Sequence, residues 1–86
     1  MNLNNEFKLN VLWLENKLGI GIDQIQLEEQ IPLTNYFFWP KIDIWDQIRA
    51  ELKTKPWISD QIKAELLNST AVIVNQWQIS SEKKDK

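Results

Sequence analysis

The chain has 86 residues, a formal net charge of −2, and neither cysteine nor histidine. This length predicts one domain, and the missing residue types exclude disulfides, cysteine-ligated metals and histidine-based catalysis. A free-standing nucleic-acid binder is usually basic, because phosphate contacts dominate affinity, so the charge also argues against that class.

The N-terminal half predicts an antiparallel hairpin. After a flexible segment over residues 1–6, residues 7–14 and 18–25 both alternate apolar and polar side chains, which is typical of strands. In the second strand, Gly19 and Gly21 share one face and leave it bare, so that a side chain or the backbone of a partner can approach closely. We expect a tryptophan of the same chain to lie over these glycines.

An aromatic segment follows a polar connection over residues 26–35. Tyr36–Trp39 predicts a short edge strand, which Pro40 closes because proline cannot donate a ladder hydrogen bond. Alternate side chains of an extended segment face opposite sides: Tyr36 and Phe38 on one, Phe37 and Trp39 on the other. Both faces are therefore aromatic, and one of them needs a covering helix or a partner. An exposed patch of Phe37 and Trp39 would favour a protein that works inside a complex.

Two helices are predicted after the aromatic segment. The first covers residues 43–54 with Asp43 as N-cap, and the second covers residues 60–78 after a Ser59 cap. The predicted buried stripes are Ile44, Ile48 and Leu52 in the first helix, and Ile62, Leu66, Leu67, Thr70, Ile73, Val74 and Trp77 in the second. Residues 80–86 carry no apolar group and predict a disordered polar tail.

Residues 7–79 therefore predict a single α+β domain. Its small antiparallel sheet, made of the hairpin and the short aromatic edge strand, packs against a C-terminal helical hairpin. No apolar run approaches the roughly 18 residues of a membrane span, and the N-terminus shows neither a secretory signal nor a transit peptide. Neighbouring carboxylates such as Glu28 and Glu29 lack a third partner, so we expect no catalytic residue, metal, cofactor or small-molecule substrate.

Basic and aromatic residues around the first helix form the candidate contact set. They could stack on bases and pair with phosphates, although composition alone favours a solvated helix face beside core tryptophans. Trp57 follows Pro56 in a tight turn. Its ring can either fill the end of the core, as a plug, or stay exposed as an anchor for a partner, and the first is favoured. The candidate partner or rRNA contacts are Phe37, Trp39, Lys41, Arg49, Lys53, Lys55 and Trp57.

Several segments together resemble the plastid-specific ribosomal protein three family, which also has cyanobacterial members. The most distinctive are "PLTNYFFWP" (Pro32–Pro40) and "KPWIS" (Lys55–Ser59). Agreement extends to Phe7–Glu15, Ile20–Gln24, "DIWDQIRAEL" (Asp43–Leu52), "ELLN" (Glu65–Asn68) and "VIVNQWQ" (Val72–Gln78). The chain departs from the family over residues 25–31, where a more glycine-rich connection is expected.

The resemblance implies a structural constituent of the small (30S) ribosomal subunit of chloroplast or cyanobacterial type, which supports translation without catalysis. Its partners would be ribosomal proteins and, locally, 16S rRNA, in the chloroplast stroma for a plastid-encoded chain or in the cytoplasm of a cyanobacterium. A regulatory role stays open. The alternatives are a transient ribosome-associated translation or assembly factor and a non-ribosomal protein-interaction module.

Overall fold

The computed structural model describes residues 6–84, which form four strands followed by two helices. The strands are β1 (Glu6–Trp13), β2 (Leu18–Gln26), β3 (Glu29–Pro32) and β4 (Phe37–Trp39), and the helices are α1 (Ile44–Lys53) and α2 (Asp60–Lys84). The strands form one antiparallel sheet. This arrangement confirms the predicted α+β fold.

The sheet is organised around the long strand β2. On one side, β1 pairs with β2 along its whole length, from Glu6 opposite Ile25 to Trp13 opposite Leu18. On the other side, β3 pairs with residues 23–26 and β4 with residues 18–20. Between β3 and β4, the backbone N–H groups of Leu33 and Thr34 both donate to the carbonyl oxygen of Ile22, at 2.9 and 3.1 Å, and so keep this part of the chain attached to β2.

Strand β3 replaces part of the polar connection that was predicted over residues 26–35. A two-residue turn joins it to β2, with Leu27 at φ 52° and Glu28 at φ 70°. Both angles lie in the left-handed region, as a type I′ hairpin turn requires. The usual Asn-Gly or Asp-Gly signal is absent here, which is why the sequence did not indicate this hairpin.

One face of the sheet forms the core with both helices. Leu18, Ile20 and Ile22 point from β2 into this core and are completely buried. The stripes predicted for the helices are confirmed, because Ile44, Ile48, Leu52, Leu66, Thr70 and Trp77 are buried and Ile62, Leu67, Ile73 and Val74 pack at the edge of the core. The helical hairpin therefore covers one sheet face.

Both predicted N-caps are present, whereas α2 is longer than predicted. The Asp43 carboxylate accepts a hydrogen bond from the N–H of Asp46, and the Ser59 hydroxyl accepts one from the N–H of Ile62, both at 3.2 Å. The predicted end of α2 at residue 78 is wrong, since the helix continues to Lys84. Residues 79–84 contain neither glycine nor proline to end it. Of the tail predicted over residues 80–86, residues 80–84 belong to α2, and of the segment predicted over residues 1–6, Glu6 begins β1. Residues 1–5 and 85–86 lie outside the described residues.

Candidate interaction surfaces

The aromatic segment divides its rings between the two faces of the sheet. Phe37 and Trp39 are half-buried and pack against the core. Phe38 and Tyr36 lie over the glycines of β2 instead. A Cβ placed on Gly19 would come within 2.6 Å of Cε1 of Phe38, and one placed on Gly21 would lie 3.4 Å from the Tyr36 ring. The expected tryptophan cover is therefore wrong, because the covering rings are those of phenylalanine and tyrosine.

The outer face of the sheet carries this second pair of aromatic rings in a basic setting. The ring centroids of Tyr36 and Phe38 are 6.4 Å apart with an interplanar angle of 28°, and Tyr36 remains 41% exposed. The Lys17 ammonium lies 5.1 Å from the centroid of the Phe38 ring, within cation–π range. Tyr36, Phe38 and Lys17 are not among the contacts predicted from the sequence, although the bare glycines already indicated a close approach on this face.

An open depression adjoins these rings, with a volume of about 620 Å³. Its lining contains two lysines and no carboxylate: Asn16, Lys17, Phe38, Trp39, Pro40 and Lys41. Lys41 is exposed, as a contact residue would be. Trp39 packs against the core and also lines one side of this depression, so a contact between Trp39 and a partner stays a prediction.

Helix α1 carries an exposed stripe of one aromatic and two basic residues. Trp45, Arg49 and Lys53 are four residues apart, so they lie on one side of the helix, next to the buried stripe. The guanidinium carbon of Arg49 lies 5.9 Å from the Trp45 ring centroid, and Trp45 is 39% exposed. We call these three residues the α1 stripe. Trp45 is an addition to the predicted contacts, whereas Arg49 and Lys53 were predicted.

Lys55 occupies an interior position, unlike the other predicted basic contacts. It is 9% exposed, and its ammonium donates to the backbone carbonyl of Glu51, to the Glu51 carboxylate and to the Thr54 hydroxyl, each at 3.3 Å. These acceptors lie at the C-terminal end of α1, where a cation is favourable. The structure therefore gives Lys55 a role in closing the helix rather than in presenting charge to a partner.

Trp57 lies on the surface of the turn between the helices. It is 59% exposed, whereas its neighbour Ile58 is 3% exposed and fills the end of the core. The favoured prediction of a Trp57 plug is therefore wrong, and the alternative of an exposed anchor agrees with the geometry. The signal that could have separated the two was the adjacent isoleucine, a smaller apolar side chain that fits the small core.

The described part of the chain holds neither a carboxylate cluster of the kind that binds a metal nor a helix that could span a membrane. No group of three carboxylates comes together there to hold a metal ion. Neither helix within residues 6–84 is long and apolar enough to cross a membrane.

Comparison with known proteins agrees with the aromatic and helical segments described above. Residues 33–80 match the family described as plastid and cyanobacterial ribosomal protein (PSRP-3 / Ycf65), and this range covers β4, α1 and most of α2. The chain belongs to this family. The match includes every predicted contact residue together with Tyr36, Phe38 and Trp45.

Relatives from three organisms extend the similarity to most of the chain. A probable small ribosomal subunit protein cS23 from Synechococcus sp. (strain JA-2-3B'a(2-13)) is 49% identical over 73 residues, which are 85% of this chain and 74% of the relative. The small ribosomal subunit protein cS23 of Gracilaria tenuistipitata var. liui is 46% identical, over 86% of this chain and 75% of its own. The small ribosomal subunit protein cS23z of Arabidopsis thaliana is 42% identical over 73 residues, which are 84% of this chain and 44% of the relative.

Proposed function

We propose that this chain is a structural constituent of the small ribosomal subunit of plastid or cyanobacterial type. Membership of a ribosomal protein family over residues 33–80 is the observation that carries this function. The family's role is structural, and accordingly the chain acts by binding its neighbours in the subunit and not as an enzyme. It works in the chloroplast stroma if its source is a plastid, and in the cytoplasm if its source is a cyanobacterium.

The contact with 16S rRNA is local and uses the α1 stripe. Arg49 and Lys53 offer two exposed positive charges on one side of a rigid helix, and Trp45 adds an exposed ring beside them. A guanidinium near an indole can pair with a phosphate while the ring stacks on an unpaired base. Lys41 and Trp57 extend the same type of chemistry to the segments that flank α1.

Sedimentation of a plastid or cyanobacterial lysate tests the function. A structural constituent co-migrates with both small subunits and complete ribosomes at near-equal stoichiometry and stays bound in moderate salt. Presence on free or immature subunits alone would assign the chain to the class of transient factors. A chain that stays at the top of the gradient would belong to a non-ribosomal module, and either result would contradict the proposal.

The rRNA contact is tested separately with charge reversals. Lys53→Glu is expected to lower incorporation into subunits about tenfold in competition with the wild-type chain, because the variant can no longer pair with a phosphate at this position. Lys63→Glu is the matched control, because it reverses a lysine on α2 outside the stripe. Equal incorporation of both variants would remove the α1 stripe from the rRNA contact without affecting the structural role.

A further inference from the structure

Strand β1 has a second edge, on the side away from β2. Within residues 6–84 it pairs only with β2, and it is the terminal strand of the sheet. It is eight residues long, so about four N–H groups and about four carbonyl groups point away from β2. Beyond Trp13, both backbone groups of Leu14 are used: its N–H donates to the carbonyl oxygen of Lys17 at 3.1 Å, and its carbonyl oxygen accepts from the Trp77 indole at 2.9 Å.

The remaining edges of the sheet are short or blocked. The outer edge of β3 spans four residues, begins with a glutamate and ends with Pro32, which lacks an N–H. The outer edge of β4 spans three residues and is followed by Pro40. Charge, proline and shortness are the devices by which proteins prevent unwanted strand pairing. The long edge of β1 contains no proline.

The last three residues of β1 are also apolar on both faces. Val11 is 37% exposed, Leu12 is 40% exposed and Trp13 is 50% exposed. Val11 and Trp13 share the core face with Ile20 and Leu18, their partners across the ladder, whereas Leu12 shares the outer face with Gly19. The two charged residues of β1, Glu6 and Lys8, both lie in its N-terminal half. A long edge without proline, whose last three residues expose apolar side chains on both faces, is the type of edge that accepts a further strand.

We propose that the outer edge of β1 pairs with an extended strand from another protein of the small subunit. Alternating N–H and carbonyl groups fix the occupant as a polypeptide, because only another extended backbone supplies the complementary row of donors and acceptors. RNA could cover the side chains but could not satisfy this row. The inference rests on the proposed place in the subunit and goes beyond it by naming the surface and the chemistry of the partner.

The side chains along β1 specify the character of the incoming strand. Opposite Val11, Leu12 and Trp13 it carries apolar residues on both faces, since cross-strand neighbours pack on each face. Opposite Glu6 and Lys8, whose side chains are exposed, it carries polar residues. The pairing extends over about eight residues, which is about 26 Å of strand.

Amide hydrogen exchange tests the pairing directly. Small subunits that contain the chain are exchanged in heavy water, quenched and analysed at residue resolution, and the free chain is treated in the same way. In the free chain, alternate β1 amides point outward and exchange fast. In the subunit, we expect these amides to be protected at least about a hundredfold, because exchange then requires opening of the new ladder.

Each other outcome overturns the inference and identifies the error. If the outward β1 amides exchange equally fast in the subunit and in the free chain, no strand is added at this edge. The proposed function is not affected by that result as long as the chain sediments with subunits. Protection that rises with concentration in the free chain, without subunits, assigns the edge to a second copy. If the chain does not sediment with subunits at all, the proposed function fails as well, so the two failures are distinguishable.

A pair of lysine variants gives an independent measurement. Leu12→Lys places a charge beside the edge, and we expect incorporation into subunits to fall at least about tenfold, because charged side chains discourage strand addition. Ile79→Lys is the matched control, since Ile79 is an apolar residue of similar exposure, 46% against 40%, on α2. Circular dichroism checks that both variants fold. An unchanged incorporation of Leu12→Lys would contradict the proposal.

Discussion

At the scale of single residues, Gly19 shows how one missing side chain shapes a surface. The Phe38 ring occupies the space that a Cβ would need, at 2.6 Å from Cε1. We expect Gly19→Ala to displace the ring and to lower the free energy of unfolding by about 1–3 kcal/mol, as overpacking does. Urea titration measures this loss.

Gly21→Ala is the control for this prediction. Its added Cβ would lie 3.3 Å from the Asn35 carbonyl oxygen and 3.4 Å from the Tyr36 ring, which small movements can relieve. The entropy that alanine removes from the unfolded chain offsets part of that cost, so we expect a change within about 1 kcal/mol. Equal effects of the two substitutions would show that the close approach of Phe38 does not constrain the sheet.

Lys55 provides a second prediction at this scale. Its ammonium makes three hydrogen bonds at the end of α1 from an almost buried position. We expect Lys55→Ala to lower the free energy of unfolding by about 1–2 kcal/mol, because Glu51 and Thr54 lose a shared donor. Lys53→Ala, at an exposed position, should change it by less than about 0.5 kcal/mol. Denaturation of both variants checks the difference, and the reverse order would contradict the assigned roles.

At the scale of elements, periodicity predicted most of the fold. The i, i+4, i+8 spacing of Ile44, Ile48 and Leu52 identified the buried side of α1, and the alternation in β2 identified the core face of the sheet. Both signals can be read from a single element, because each of these elements packs one of its faces against the core. The exposure of Trp57 and the burial of Lys55 could not be predicted in this way, because both depend on how the turn between two helices packs.

The β2–β3 hairpin was missed because its turn residues do not carry the usual signal. Leu27 is 89% exposed at its tip, and both Leu27 and Glu28 have positive φ. This conformation costs each non-glycine residue about 1–2 kcal/mol. The family resemblance predicted a glycine-rich connection here, and the geometry explains that expectation, since glycine would relieve the strain.

Replacing Leu27-Glu28 by Asn-Gly is therefore expected to stabilise the chain. These residues are preferred in type I′ turns, and the Leu27 side chain packs too little for its loss to matter. We expect an increase of about 1–2 kcal/mol in the free energy of unfolding, measured by urea titration. Leu27→Asn alone should give a smaller part of the gain. A loss of stability in the double variant would mean that Leu27 makes contacts that its exposure does not indicate.

At the scale of the whole molecule, charge is distributed unevenly. The β2–β3 hairpin contains Asp23, Glu28 and Glu29 and no basic residue, whereas Lys41 and the α1 stripe carry the exposed bases near the first helix. A chain of net charge −2 can approach RNA only through such a local region. Most of its surface is therefore suited to protein neighbours, which agrees with the proposed pairing of the β1 edge with a polypeptide.

The isolated chain is accordingly expected to bind naked RNA weakly and with a shallow salt dependence. Lys41, Arg49 and Lys53 can neutralise at most three phosphates, so the slope of log K against log salt concentration should have a magnitude of about 2–3. Fluorescence anisotropy with a 16S rRNA fragment between about 50 and 200 mM salt measures it. Lys53→Glu should reduce the slope by about one, while Lys63→Glu leaves it unchanged. Tight binding with a slope of about six or more would require an RNA surface much larger than the α1 stripe, and it would favour RNA over protein as the main neighbour of the chain.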